Sequence, residues 1–297
     1  MQPSNRSRYL AIGVALFLLG FSLAILATPI SAIDDRGVIV TFNKPPQRVI
    51  SLLPSLTESV CALGKCSTLV GIDSFSNWPK SIQNLPKLGG MGDINIERIV
   101  QLKPDVVLLE NASPVIARLN GLGISTFALD IKSMRDEERA LQKLDVVLGS
   151  SESTRVWNQI QQEIMRASKQ LPSPEKKISV YFEVNPAPFA AGKNSFIGEI
   201  LTRLGLVNII PDSLGPFPKI NPEFVVQSKP EVILLTESTV RDIQNRPGWK
   251  SIPALAKKRI CTFTADQNDI LVRPGPRMGE AALIISECIQ EKMSLSR

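Results

Sequence analysis

The segment VQLKPDVVLLE fills residues 100–110, and VQSKPEVILLTE fills residues 226–237. Each reads as a helix end, a Lys-Pro turn and a strand. The likeness extends towards the amino end. Asn95, Glu97, Lys103 and Pro104 recur as Asn221, Glu223, Lys229 and Pro230, all at an offset of 126. Solenoid units repeat every ~20–50 residues, so this long period describes two related lobes.

Around the two copies the chain alternates. Apolar runs of strand length occupy 48–53, 68–72, 105–110, 125–130, 178–184, 231–237 and 259–265. They are nearly continuous in hydrophobicity, as strands covered on both faces are. Helix-like stretches at 57–63, 96–102, 115–122, 196–204, 222–227 and 277–292 separate them. The alternation predicts an α/β fold of two Rossmann-like lobes with mostly parallel sheets. Residues 133–149 read as a helix from the cap Ser133 to the stop Gly149. Residues 151–172 follow, with Val156, Ile160 and Ile164 on one narrow stripe. With a repeat copy on either side, this polar helix is expected to be a rigid backbone. It would join a lobe at 33–150 to a lobe at 173–297, with the ligand cleft between them. An amphipathic helix lying on one sheet is the alternative.

The 297 residues include 43% hydrophobic and 21% charged residues and carry a net charge of +6. This is a globular composition. No basic stripe interleaves with aromatics, so nucleic-acid binding is not expected. The chain has no histidine. That removes Ser-His-Asp and Cys-His nucleophilic centres and most zinc and haem ligand sets. AAGKNS at 190–195 is not a phosphate loop, because Ala187 stands where the motif needs Gly and Asn194 where it needs Ser or Thr. No catalytic group, metal or cofactor is expected.

Residues 1–32 read as an export signal. Arg6 and Arg8 precede an apolar run at 9–27, and Pro29, Ser31 and Ala32 follow it. Cleavage is expected after Ala32, which would put the protein in the periplasm. The run also approaches the ~17–25 residues of a membrane span, so an uncleaved anchor is the alternative. No cysteine lies nearby to carry a lipid. Export favours disulfides, and four cysteines allow three pairings. Gly64 can end a helix between Cys61 and Cys66, letting those two meet. Cys261 on a strand would then pair with Cys288 on the last helix. Four buried thiols are the alternative.

In both repeat copies Asn95 and Asn221 stand where a helix begins and can accept from a free backbone N–H. Glu97 and Glu223 fall in the first helical turn, where the helix dipole favours a carboxylate by ~0.3–1 kcal/mol. Two lobes related by a repeat would also present those carboxylates at equivalent places, suited to a twofold partner. Aromatics are only 5% of the chain, so their placement matters. Phe75 and Trp78 lie in DSFSNWP, Phe189 in NPAPFAAG and Phe217 in LGPFPK, all on expected loops. Ligands bind beyond the carboxyl ends of parallel strands, which suits Phe75, Trp78 and Phe189.

RVISLLPSLTESVCALG, NIERIVQLKPDVVLLE, FAAGKNSFIGEILTRLG, VNII and RPGPRMGEAAL resemble the exported solute-binding subunits of bacterial ABC importers. These are the subunits for cobalamin, ferric siderophores and haem. The resemblance covers about residues 48–289. It implies two lobes on a rigid backbone helix, a monomer, no enzymatic activity and delivery of a ligand to a dimeric permease. By resemblance to the cobalamin-binding members, Glu97 and Glu223 dock arginines of the permease. Phe75, Phe189 and Phe217 match positions that contact the corrinoid. Met91 and Glu110 stand where those members carry tryptophan. Arg273 matches a polar contact with Asp266 or Asp269, the latter preferred, as its companion. Arg277 is read as an anchor of the last helix. A ferric-siderophore or haem binder of the same family is the alternative. Outside the family, the alternatives are an exported α/β enzyme using carboxylates and an anchored sensor.

Overall fold

A computed structural model describes residues 29–171, 177–185, 188–243 and 245–294. The export segment expected at 9–27 lies outside the described residues. The fold opens with an antiparallel hairpin of β1 (Ile30–Ile33) and β2 (Ile39–Phe42). The first lobe runs through β3 (Val49–Ser51), α1 (Pro54–Ala62), β4 (Leu69–Ile72), α2 (Ile96–Gln101), β5 (Val106–Glu110), α3 (Ile116–Gly121) and β6 (Thr126–Leu129). Two helices follow, α4 (Met134–Leu148) and α5 (Ser153–Gln170). The second lobe holds β7 (Ser179–Asn185), β8 (Phe189–Ala190), α6 (Phe196–Arg203), β9 (Val207–Asn208), α7 (Pro222–Ser228) and β10 (Val232–Thr236). It ends with α8 (Glu237–Ile243), α9 (Pro253–Ala256), β11 (Ile260–Phe263), α10 (Ala265–Val272) and α11 (Met278–Ser294).

The duplication reaches the sheet order. In the first lobe the strands lie β4-β3-β5-β6, all parallel. In the second they lie β9-β7-β10-β11, also parallel, with the short β8 antiparallel on β7. β5 and β10, the strands of the two quoted segments, take the same place in each. Their continuous hydrophobicity has a structural reason. Val106 and Leu108 of β5, and Val232 and Leu234 of β10, face one shared cluster that also takes in α4, α5 and α11. Val107 and Leu109 face a separate outer cluster of the first lobe, and Ile233 and Leu235 one of the second. The backbone repeats too. Lys103 and Lys229 both turn left-handed, at φ 44° and 48°, just before their prolines. Proline disfavours the right-handed helical region for the residue preceding it, so both helices stop there.

α5 spans ~27 Å at 1.5 Å per residue. Its buried Val156, Ile160, Ile164 and Ala167 belong to the shared cluster. It lies chiefly along α11, with α4 and α6 beside it. Gly279 makes the close approach possible, since a Cβ there would stand 2.5 Å from Cβ of Glu163. The connecting helix is therefore sheathed by the last helix, and its apolar stripe is continuous with the inner faces of both sheets. α4 carries a full capping box between Ser133 and Asp136 and stops at left-handed Gly149.

Cys61 pairs with Cys66, and Cys261 with Cys288. The second bridge ties β11 to α11 and closes a loop long enough to contribute about 3 kcal/mol. The first lobe begins earlier than expected. Ala32, the expected cleavage point, is buried inside β1 and pairs with Val40. The hairpin escapes the apolar-run signal because each strand has four residues and one outward face. Its turn is held by buried charge: Asp34 binds Arg36, and Asp35 binds Arg139 and Lys143.

Candidate ligand cleft and docking tips

At the carboxyl end of β4 the chain turns on Asp73. Its carboxylate accepts from the backbone N–H of Phe75 at 2.7 Å and of Ser76 at 3.0 Å, and from the Ser76 hydroxyl. Burial pushes this carboxyl up, and the hydrogen bonds only partly offset it. Ser76 also shares a 2.9 Å hydrogen bond with Thr57, and its carbonyl accepts from Lys87. The loop so fixed holds Phe75 outward, 64% exposed. Its ring lies on the backbone of Gly90, where a Cβ would come 2.7 Å from the ring edge. Next to Gly90, Met91 is 74% exposed. Met91 joins Leu52, Leu53, Leu109 and Glu110 around a hollow of about 250 Å³ at the carboxyl ends of β3 and β5.

The second lobe builds its own aromatic platform. β8 pairs with the end of β7, Phe189 opposite Asn185. Residues 216–219 run alongside it: Ala190 N–H donates to Pro218 at 3.0 Å, and Gly192 N–H to Pro216 at 2.8 Å. Phe189 and Phe217 thus sit on neighbouring extended segments, both half-buried. The Phe217 ring packs 6.0 Å from that of Phe196.

The remaining expected contact residues have protein partners of their own. Arg273, expected as a polar ligand contact, is 11% exposed and pairs with Glu58 at 3.2 Å and Asp269 at 2.7 Å. It also donates to Asn77 Oδ1 at 2.7 Å and to the Phe75 carbonyl at 3.2 Å. Asp269 in turn accepts from Asn77 Nδ2 at 2.9 Å. Trp78 stands with Arg277, whose guanidinium lies 5.4 Å from the ring centre. Both line a separate hollow of about 340 Å³ with Asp266, Asp269 and Glu280. Arg277 holds Glu58 with two bonds of 2.7 and 2.6 Å, the anchoring role expected of it. Glu58 and Asn77 carried no signal: Glu58 is one acid in a short helix, Asn77 one amide in a loop, and their partners are some 200 residues away. A further hollow, about 490 Å³, lies among α4, α5 and α6. Its walls include Arg135, Glu138, Lys193, Glu199 and Arg203, which is unlike the apolar lining of a site for a large flat ligand.

Glu97 and Glu223 both project from the first turn of a short helix whose cap is the expected asparagine. Asn95 accepts from Arg98 N–H at 2.8 Å and Asn221 from Glu223 N–H at 3.0 Å. Both glutamates are exposed. Glu97 makes a loose 3.5 Å pair with Arg118, worth little in water. Among the described residues no cluster of three or more His, Cys, Asp or Glu could hold a metal, and no helix is long and apolar enough to cross a membrane.

Comparison with known proteins agrees with this frame. The chain is 28% identical over 274 residues to the uncharacterized ABC transporter substrate-binding lipoprotein YvrC of Bacillus subtilis, covering 88% of this chain and 85% of that one. It is 32% identical over 213 residues to the vitamin B12-binding protein of Salmonella paratyphi A, covering 69% and 78%. The solved periplasmic heme-binding protein RhuT from Roseiflexus sp. RS-1 shares the fold, with a TM-score of 0.70 and 23% identity over 83% of this chain and 98% of that one. The profile of the periplasmic binding protein family matches residues 49–267, and the chain belongs to that family.

Proposed function

We propose that this is an exported solute-binding protein that captures a corrinoid between its lobes and delivers it to the permease dimer of an ABC importer. The observation that carries the reading is the pairing of two exposed carboxylates, Glu97 and Glu223, on equivalent corners of a duplicated fold. The relative's vitamin B12-binding name supports the ligand class. Phe75 and Met91 form the first-lobe wall, and Phe189 and Phe217 the second. The protein works as a monomer without chemistry of its own. The corrinoid is cargo, and the amino-terminal export segment, with its apolar run at 9–27, directs the chain to the periplasm.

Ligand chemistry separates this reading from its rivals. A corrinoid brings its own equatorial nitrogens and needs walls rather than coordination. Haem iron takes an axial His, Cys, Met or Tyr. Here there is no histidine, Tyr181 is buried, and all four cysteines are bridged. Met91 is left as the exposed soft ligand at the hollow, and it carries the haem reading. An anionic ferric siderophore would draw on cleft arginines, and Arg273 is already engaged.

Titrating purified residues 29–297 with cyanocobalamin and with hemin tests this. Saturable binding of cyanocobalamin, weakened by Phe75→Ala and Phe189→Ala, is expected. Saturable hemin binding abolished by Met91→Ala, with none for cyanocobalamin, would replace the corrinoid reading.

A further inference from the structure

Arg273 ends α10 in the second lobe, yet three of its four partner groups belong to the first. Its guanidinium reaches Glu58 Oε1, Asn77 Oδ1 and the Phe75 carbonyl, besides Asp269 on its own helix. Asp269 completes the ring by accepting from Asn77 Nδ2. Phe75 and Asn77 flank the buried Ser76, and the exposed Phe75 ring is the first lobe's aromatic wall. Its own lobe holds this loop from one side, through Asp73, Thr57 and Lys87. The other side is held by a residue of the opposite lobe.

We infer that Arg273 is a positioning residue that couples the relative placement of the two lobes to the Phe75 ring, and that it does not touch the ligand. For its ligand arm this rests on the corrinoid reading. The bonds that cross between the lobes differ in length. Arg277 grips Glu58 through two charge-paired bonds of 2.7 and 2.6 Å, whereas Arg273 reaches Glu58 and the Phe75 carbonyl only at 3.2 Å. If the lobes are drawn apart by their acidic corners, the longer contacts of Arg273 loosen first. The Glu58–Arg277 pair still holds the lobes together at that point. The Phe75 loop then loses its outer support while the molecule stays in one piece, and the bound molecule loses one wall. An ammonium cannot reproduce this. The planar fork of arginine meets several acceptors at once, and lysine is a point charge.

Hydrogen exchange on the ligand-free protein tests the coupling without reference to any ligand. Residues 73–79 should exchange several-fold faster in Arg273→Lys and in Asn77→Ala than in the wild type. Unchanged exchange there overturns the inference. Asn77→Ala alters an exposed loop side chain and keeps the test open if the arginine variant unfolds. Cyanocobalamin affinity then separates positioning from contact. Each variant should weaken binding about tenfold, within the usual coupling of residues in contact. Neither should weaken it further when Phe75→Leu is already present. An equal further loss in the Phe75→Leu background makes Arg273 a direct contact and overturns the inference. If wild-type protein does not bind cyanocobalamin, the corrinoid reading falls and the exchange result still decides the coupling.

Discussion

Glu137 is a buried acid with one carboxyl oxygen left without a partner. It lies on α4 against α1, fully buried. Its Oε1 accepts from Ser59 at 3.2 Å, and its Oε2 has no partner. Burial pushes its carboxyl well above the usual range, and the neighbouring Glu58 adds to the rise. An acid with a raised folded pKa holds its proton more tightly folded than unfolded. Its contribution is fully present below the unfolded value near 4.5 and is lost as pH climbs through the folded value. Glu137→Gln removes that loss. Melting should show a gain of about 2–4 °C at pH 7.5, the size of a ~1 kcal/mol change in a protein this large, and almost none at pH 4.5. An equal gain at both pH values would show that the buried charge is not the cause.

At the scale of elements, the most extensive contact among the described residues is α5 against α11. Gly279 is the second residue of α11, and alanine is the better helix former, so Gly279→Ala would not by itself weaken an isolated α11. In the folded protein the added methyl meets Glu163 at 2.2 Å from Oε2 and 2.5 Å from Cβ. The helices must then part, at a cost of ~1–3 kcal/mol typical of overpacking. Urea denaturation of Gly279→Ala should therefore give a lower midpoint. A higher midpoint would mean that the two helices have slack, and that the backbone helix is less firmly sheathed. The same contact explains why α5 reads ambiguously in the sequence. Its stripe is narrow because a single helix covers most of it, and periodicity cannot say which element supplies the cover.

For the whole molecule the prediction concerns the acidic corners. Glu97→Lys with Glu223→Lys should abolish corrinoid uptake in cells that depend on this protein, with cyanocobalamin affinity unchanged in isothermal titration. A fall in affinity would assign these carboxylates to the pocket. The duplication behind this prediction is legible because it rests on local chemistry: an asparagine cap, a first-turn glutamate, a Lys-Pro stop and a doubly covered strand. Each of those needs only its immediate neighbours. The placement of the aromatics was less legible. Loop position singled out Phe75, Trp78, Phe189 and Phe217, and strand ends Phe75, Trp78 and Phe189, yet Trp78 stands beside Arg277 in a hollow that Phe75 of the same loop does not line. One-residue steps along an irregular loop carry no periodicity from which to read a direction.

The amino-acid order alone was enough for the α/β class, the two copies, the limits of most helices and strands, and the exclusion of histidine chemistry, because these follow from short-range patterning and composition. The pairing of Arg273 and Arg277 with Glu58, the use of Asn77 and Asp269 as a bridge, and the sheathing of α5 by α11 came from the folded molecule. Those contacts join residues more than a hundred positions apart, and only the packing of one lobe against the other brings them within reach.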